Sequence, residues 1–256
     1  MRDEGLQLAI EAAGGVGALA RGLGIRQPSV SSWAKVPSDR VLAIETLTGV
    51  DRDKLRPDLY GDAAKPIDEI DAARAREYLM IASLLRQAPT AATLGQIARL
   101  GGDQSALGMA RIALADAASE ADPIEVGTEF FSLFIGIGRG ELLPYASYYL
   151  TGFLHERPLA VLREDLGRLG IERADGNFDP EDHLGILFEI MGGFANGTFE
   201  ADAQQPQAFF ETHVAPWAER CLADIGVSPS AKFYKFVAAY ALRFIEIERE
   251  AFAIGD

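Results

Sequence analysis

Phe233-Tyr234-Lys235-Phe236-Val237-Ala238-Ala239-Tyr240-Ala241-Leu242-Arg243-Phe244-Ile245 is the stretch that decides the fold class. Phe233, Phe236, Val237, Tyr240, Ala241, Phe244 and Ile245 recur at three-and-four spacing, which lines up one face of an α-helix. Tyr78, Ile81, Ala82 and Leu85 repeat the pattern earlier in the chain. No run alternates apolar and polar residues between turn signals, so almost no sheet is expected. The expectation is an all-α protein without internal repeats or low-complexity tracts.

Breakers divide this helical chain in two. Gly61 is a plausible helix stop, and Pro66 biases Lys65 away from helix. The stretch from Tyr60 to Pro66 therefore separates a short unit, residues 1–62, from a larger one, residues 67–256. In the larger unit Pro89, Gly101-Gly102, Pro123, Gly136–Gly140, Pro158, Gly170, Pro180, Pro206 and Pro229 punctuate the helices. Asp179-Pro180-Glu181-Asp182 reads as a helix start, with a capping side chain, proline at the first helical position and acids in the positive first turn.

Composition narrows the function classes. The chain has 256 residues, 48% of them hydrophobic and 24% charged, enough for one substantial core plus a small extra domain. No apolar run approaches a membrane span. Met1-Arg2-Asp3-Glu4 is acidic, unlike a secretory n-region, so a cytoplasmic location is expected. Cys221 is the single cysteine, which excludes an internal disulfide and a cysteine-based zinc site. His155, His183 and His213 lie far apart in sequence, so neither a metal nor another cofactor is expected. Residues 1–62 carry eight Lys/Arg against nine Asp/Glu, leaving −13 of the net −14 on the remainder. That remainder would repel nucleic acid and attract cationic partners, or simply keep the protein soluble. Any DNA contact must come from the first unit.

In that unit helices are expected at Leu6–Ala13, Val16–Leu23, Gln27–Ala34, Ser38–Leu47 and Asp51–Leu55. Ala20 is small where two helices would cross, Gly24 supplies a turn, and Ile25, Val30 and Trp33 seat the following helix on the core. The stretch Leu19-Ala20-Arg21-Gly22-Leu23-Gly24-Ile25-Arg26-Gln27-Pro28-Ser29-Val30-Ser31-Ser32-Trp33 resembles the helix-turn-helix of Cro-like, YdaS-type repressors. The likeness continues through Val36–Glu45 and Leu55–Tyr60. The link from Trp33 to Pro37 is shorter than that family's and lacks its glycine, which can shift the end of the second helix. The resemblance implies DNA binding, with Gln27, Ser29, Ser31 and Ser32 reading bases and Arg26 and Lys35 on phosphate. The near-zero charge of the unit favours a packing or dimerisation module instead. The polar, small free face of the second helix favours DNA.

Three motifs mark the larger unit. They run from Glu129 to Leu150, including Pro144-Tyr145-Ala146-Ser147-Tyr148; from Asp179 to Met191, including Pro180-Glu181-Asp182-His183; and from Phe209 to Trp217, including His213-Val214-Ala215-Pro216-Trp217. In that order they resemble the TorD/DmsD/NarJ family of redox-enzyme maturation chaperones over residues 70–250. The resemblance implies an all-helical, non-enzymatic chaperone, monomeric or homodimeric, that holds the twin-arginine leader of a molybdoenzyme. A formate dehydrogenase or a dimethyl-sulfoxide-reductase relative is the expected client.

Such a leader carries two guanidinium groups and an apolar stretch, which calls for carboxylates in fork geometry beside an apolar groove. Asp182 and Glu189 are the candidate carboxylates, with Glu181 weaker. Tyr145, Tyr148, Leu184 and Trp217 are candidates for the groove, and Ser147 belongs to the same loop. His183 would orient Asp182 or donate to a peptide carbonyl. Each has a plainer alternative. Asp182 and Glu181 can be first-turn acids, Tyr145 and Tyr148 can fill the loop, and Trp217 and His213 can brace a helix junction. Phe188 and Met191 read as core.

Two features look chemical without a supporting context. Gly136-Ile137-Gly138-Arg139-Gly140 resembles a phosphate loop, but it follows a helical pattern and no Lys-Ser/Thr pair follows it. Cys221 lies on an apolar helix pattern and reads as a small buried hydrophobe. No serine sits in a nucleophile elbow.

Overall fold

The computed structural model describes residues 2–60, 68–173, 179–199, 201–202 and 204–254. Among these, every regular element is helical. The one β-type pairing is an isolated antiparallel bridge between Tyr145 and His183. The chain divides into two compact units, Met1–Ala72 with Ala195–Glu200, and Ala73–Phe194 with Ala201–Asp256. Gly61 to Pro66, the break expected from sequence, lies outside the described residues.

The first unit begins with α1 (Glu4–Ala12), two residues earlier than periodicity alone suggests, because the Asp3 side chain accepts from Leu6 N at 2.8 Å and caps it. Next come α2 (Val16–Gly22) and α3 (Gln27–Ser32). Between them Gly24 takes φ +69°, a conformation open to glycine at no steric cost. Ile25 N then donates to Ala20 O, and Gly24 N to Arg21 O, which closes a Schellman turn. A 3-10 turn (Ser38–Arg40) leads into α4 (Val41–Thr48), then α5 (Arg52–Leu55) and α6 (Pro57–Tyr60). Leu6, Leu19, Val30, Val41, Ile44 and Leu55 form the buried core.

Two details depart from the sequence reading. α3 stops at Ser32 rather than Ala34, and Trp33 is extended (ψ 134°). The short link leaves no room for another turn, because Val36 must already be fully buried three residues later. Arg56 is 1% exposed, which periodicity did not signal. Its guanidinium donates to Val36 O and pairs with Asp58 at 2.9 and 3.0 Å, so its charge is matched and its donors used.

The second unit contains most of α7 (Glu69–Arg86), then α8 (Ala91–Ile97), α9 (Ala106–Glu120), α10 (Pro123–Phe130), α11 (Ala146–Thr151) and α12 (Arg157–Leu169). It continues with α13 (Leu184–Ala195), α14 (Gln205–Phe209), α15 (Ala218–Val227) and α16 (Tyr234–Ile254). Both α10 and α14 run on into a single π-helical turn, at Phe131–Ile135 and Phe210–Val214. α13 is apolar apart from Glu189, and every other residue from Leu184 to Phe194 is buried. A helix of that kind has to be surrounded by others.

α16 packs on α9 and α15, as the pattern from Phe233 to Ile245 requires. Tyr78, Ile81, Ala82 and Leu85 are fully buried on α7. Polar anchors fix the long helices. Glu248, 1% exposed, accepts from Arg74 and from the Tyr78 hydroxyl at 2.8 Å, joining α7 to α16. Glu129, at the end of α10, accepts from the backbone N–H groups of Lys232, Phe233 and Tyr234 at 2.9, 3.0 and 2.7 Å. A carboxylate from a distant segment thus caps the positive end of α16. Replacing Glu129 by glutamine should cost about 1.5–3 kcal/mol of stability, the range for a hydrogen bond to a charged group. Urea unfolding of the variant checks this, with a lower midpoint and an unchanged slope expected.

Candidate functional site

The three motifs of the larger unit meet around Asp182. The second motif is not the capped helix start that its sequence suggests. Glu181 and Asp182 lie in a turn, and α13 begins only at Leu184. The reason is a competing set of partners. Ala146 N donates to Asp182 O at 2.9 Å and Leu184 N to Pro144 O at 2.8 Å, so Tyr145 and His183 pair as an antiparallel bridge. The Asp182 side chain crosses to the first motif instead of capping its own helix. Its Oδ2 accepts from Ser147 N at 2.8 Å and Ser147 Oγ at 2.5 Å. Asp182 is 1% exposed and Ser147 fully buried. Asp182 Oδ1 is buried with no hydrogen-bond donor among the described residues.

His183 completes the clasp. Its Nδ1 accepts from Gly185 N at 3.0 Å, and its ring meets Tyr145 edge-on with centroids 5.0 Å apart. Burial pulls its pKa down to about 4, with Arg86 adding to the shift and Asp179 opposing it, so the ring is neutral at pH 7. It bonds to its own helix start rather than orienting Asp182. Burial, with Asp179 and Asp182 nearby, pushes the Tyr145 hydroxyl up to about 12. Tyr148 is half-buried, with the Arg139 guanidinium 5.7 Å over its ring.

A fork of free carboxylates is not what the structure presents. Asp182 has committed one oxygen to Ser147, which leaves a single acceptor. Glu189 receives Arg86 Nη1 on both oxygens at 2.7 and 2.8 Å. Glu181 is held by Arg163 at 2.9 Å and Arg173 at 3.0 Å. These arginines lie 103, 18 and 8 residues from the carboxylates they hold, spacings set by the tertiary fold, and no local sequence signal announces them.

Trp217 and Leu184 do not line a groove. Leu184 is fully buried, and Trp217 is 2% exposed against Tyr149 at 5.4 Å, with its Nε1 donating to His213 O at 2.8 Å. The indole locks the π turn, where Ala215 N reaches back five residues to Phe210 O. That turn presents Thr212 and His213 to a cavity of about 260 Å³. Its apolar wall comes from Ala146 and Leu150 of α11, Val161 and Leu162 of α12 and Leu187 of α13, and Asp182 lies in the same wall. His213 Nε2 meets Asp165 Oδ2 at 2.7 Å, and burial outweighs that partner in lowering the pKa of His213. Of these residues, the sequence reading singled out only Asp182 for function. Leu150 closes the first motif, but α12 gave no sign of its role.

In the first unit Arg26, Gln27, Ser29, Ser31, Ser32 and Lys35 are all exposed. Ser32 Oγ donates to Ser29 O at 2.7 Å, and Lys35 lies 3.7 Å from Asp58. Among the described residues no His/Cys/Asp/Glu group is arranged to hold a metal. Cys221 is buried, and that burial pushes its thiol up to about 12, far from a reactive thiolate.

The geometry defines a helix-turn-helix unit on the same chain as an all-helical unit closed by an Asp–Ser clasp over an apolar cavity. The profile of the family described as "Bacterial toxin YdaS" matches residues 6–64, and that of "Nitrate reductase delta subunit" matches residues 101–223. Chaperone protein TorD of Vibrio cholerae is 31% identical over 139 residues, 49% of this chain and 61% of that protein. Chaperone protein TorD of Aliivibrio fischeri is 26% identical over 136 residues, covering 49% of this chain and 63% of that protein. The chain is thus similar to the YdaS family in its first unit and to TorD in its second, and it spans about three fifths of the length of these TorD relatives.

Two outcomes test the clasp. Asp182→Ala leaves the Ser147 donors buried without an acceptor and should cost about 1–3 kcal/mol. For His183 the folded pKa lies below the unfolded one, so its contribution is complete above pH 6.5 and is lost as pH falls toward 4. The difference in unfolding free energy between wild type and His183→Gln should therefore shrink by up to about 3 kcal/mol between pH 6.5 and 4.

Proposed function

We propose that residues 67–256 act as a non-enzymatic chaperone that holds the twin-arginine leader of a molybdoenzyme before its cofactor is inserted. The observation that carries this reading is the convergence of all three TorD-like motifs on the cavity at Asp182. The client is of the formate dehydrogenase or dimethyl-sulfoxide-reductase type, as the family resemblance implies. A leader is a cationic segment followed by an apolar one. The unit's excess of acidic residues favours approach of the first, and the apolar wall from Leu150 to Leu187 suits the second. No helix among the described residues is long and apolar enough to cross a membrane. Calorimetric titration of twin-arginine leaders should give saturable binding, weakened about ten-fold or more by Asp182→Ala. Absence of saturable binding across the panel would reject the leader as ligand, and binding untouched by the substitution would reject the site.

A second reading concerns residues 1–62, which we propose bind DNA, so that the TorD-like unit serves as a sensor. The specific observation is the exposed polar row of Gln27, Ser29, Ser31 and Ser32, flanked by exposed Arg26 and Lys35. Small hydroxyls and an amide on an open helix face suit base edges, while the two cations suit phosphates. A gel shift with DNA upstream of the gene should show binding that is lost when residues 1–62 are removed and rises steeply as salt falls.

A further inference from the structure

We propose that the cavity at Asp182 is an anchor pocket for a single large apolar side chain, leucine or phenylalanine, of a peptide bound in extended form. The inference deepens the leader reading and, where it concerns the leader, rests on it. Three observations carry it. The first is size. At about 260 Å³ the cavity falls below the ~300–1,000 Å³ of sites for whole small molecules, and suits one side chain. The second is the wall, built by Ala146, Leu150, Val161, Leu162 and Leu187. Side chains from three different helices form it, so its shape is set by their packing.

The third observation is a pair of polar groups at the same cavity. Asp182 Oδ1 is a buried acceptor with no donor among the described residues, since Ser147 uses only Oδ2. Arg157 lies in the wall as well, is exposed, and forms no ion pair among the described residues. A buried carboxylate oxygen calls for a hydrogen-bond donor, and a guanidinium calls for an acceptor. A peptide unit supplies both, an N–H and a C=O, on either side of its side chain. A free fatty chain supplies no such pairing. Single-acceptor geometry at Asp182 also favours a backbone N–H there over a two-pronged guanidinium.

The experiment uses the full chain. Leu and Val methyl resonances are followed while N-acetyl-leucine amide, N-acetyl-phenylalanine amide or N-acetyl-glycine amide is added. The first two should shift the methyls of Leu150, Val161, Leu162 and Leu187, and the glycine compound should not. N-methylating the amide that faces Asp182 should weaken the leucine probe about five-fold or more, because a buried acceptor is again left unpaired. Val161→Phe fills the cavity and should abolish the shift at Leu187. Leu150→Ala enlarges the cavity at a half-exposed position and should move preference from leucine to phenylalanine. The Leu150 variant guards against misreading a Val161→Phe protein that fails to fold. Absent shifts, shifts scattered over the molecule, or shifts unchanged by both variants would overturn the proposal.

A parallel titration with a twin-arginine leader separates the two ideas. Leader affinity reduced about ten-fold by Val161→Phe supports both. Equal leader affinity in Val161→Phe and wild type overturns the anchor pocket and leaves the leader reading standing. Probe shifts without leader binding leave the pocket standing and remove the leader.

Discussion

A carboxylate taken out of water must find donors, and in the second unit Asp182 finds them on another segment. Its bonds to Ser147 N and Oγ, with the Tyr145–His183 bridge beside them, close the turn before α13 onto the start of α11. The geometry of the site follows from that closure. It delays the start of α13, leaves Asp182 one free oxygen, and brings α11 and α13 together as two walls of the cavity. A protonated or amide side chain in that place would have to share its donors and acceptors differently. The clasp depends on a charged acceptor and a small hydroxyl meeting in a dry place, where hydrogen bonds to charged groups are strongest.

The same device recurs elsewhere in the structure. Glu129 caps α16, Glu248 gathers Arg74 and Tyr78, and Arg56 ties Val36 O to Asp58. Each is a buried charge with its partners in place, joining segments far apart in sequence. Such contacts specify which helices meet more than they add to net stability. The apolar faces supply the bulk of the driving force, and the charges select among the ways those faces can pack.

Much of the helix inventory was legible. The three-and-four spacing from Phe233 to Ile245 marks α16, and Gly24 marks the Schellman turn of the first unit. The helix-turn-helix and the ordered motifs were legible as family patterns. Asp182 and Ser147 both stand in those motifs, and the fold brings them side by side. Trp217 reads from sequence either as a groove residue or as a brace for a helix junction, and in the fold it is buried and braces the π turn, because an aromatic near a motif looks the same in sequence whether it faces a ligand or a turn. Glu189 and Glu181 read as available carboxylates and are paired, because Arg86, Arg163 and Arg173 reach them only in the folded chain.

Side-chain period and turn residues, which are local properties, were enough for the all-α class. The helix-turn-helix and the three motifs were legible only as resemblances to known families. The tertiary structure alone decided which carboxylate oxygens remain unpartnered, where α13 begins, and that α12 lends Val161 and Leu162 to the site. Those outcomes depend on donors and walls brought in from distant segments, and long-range partnership leaves no periodic trace in a single chain.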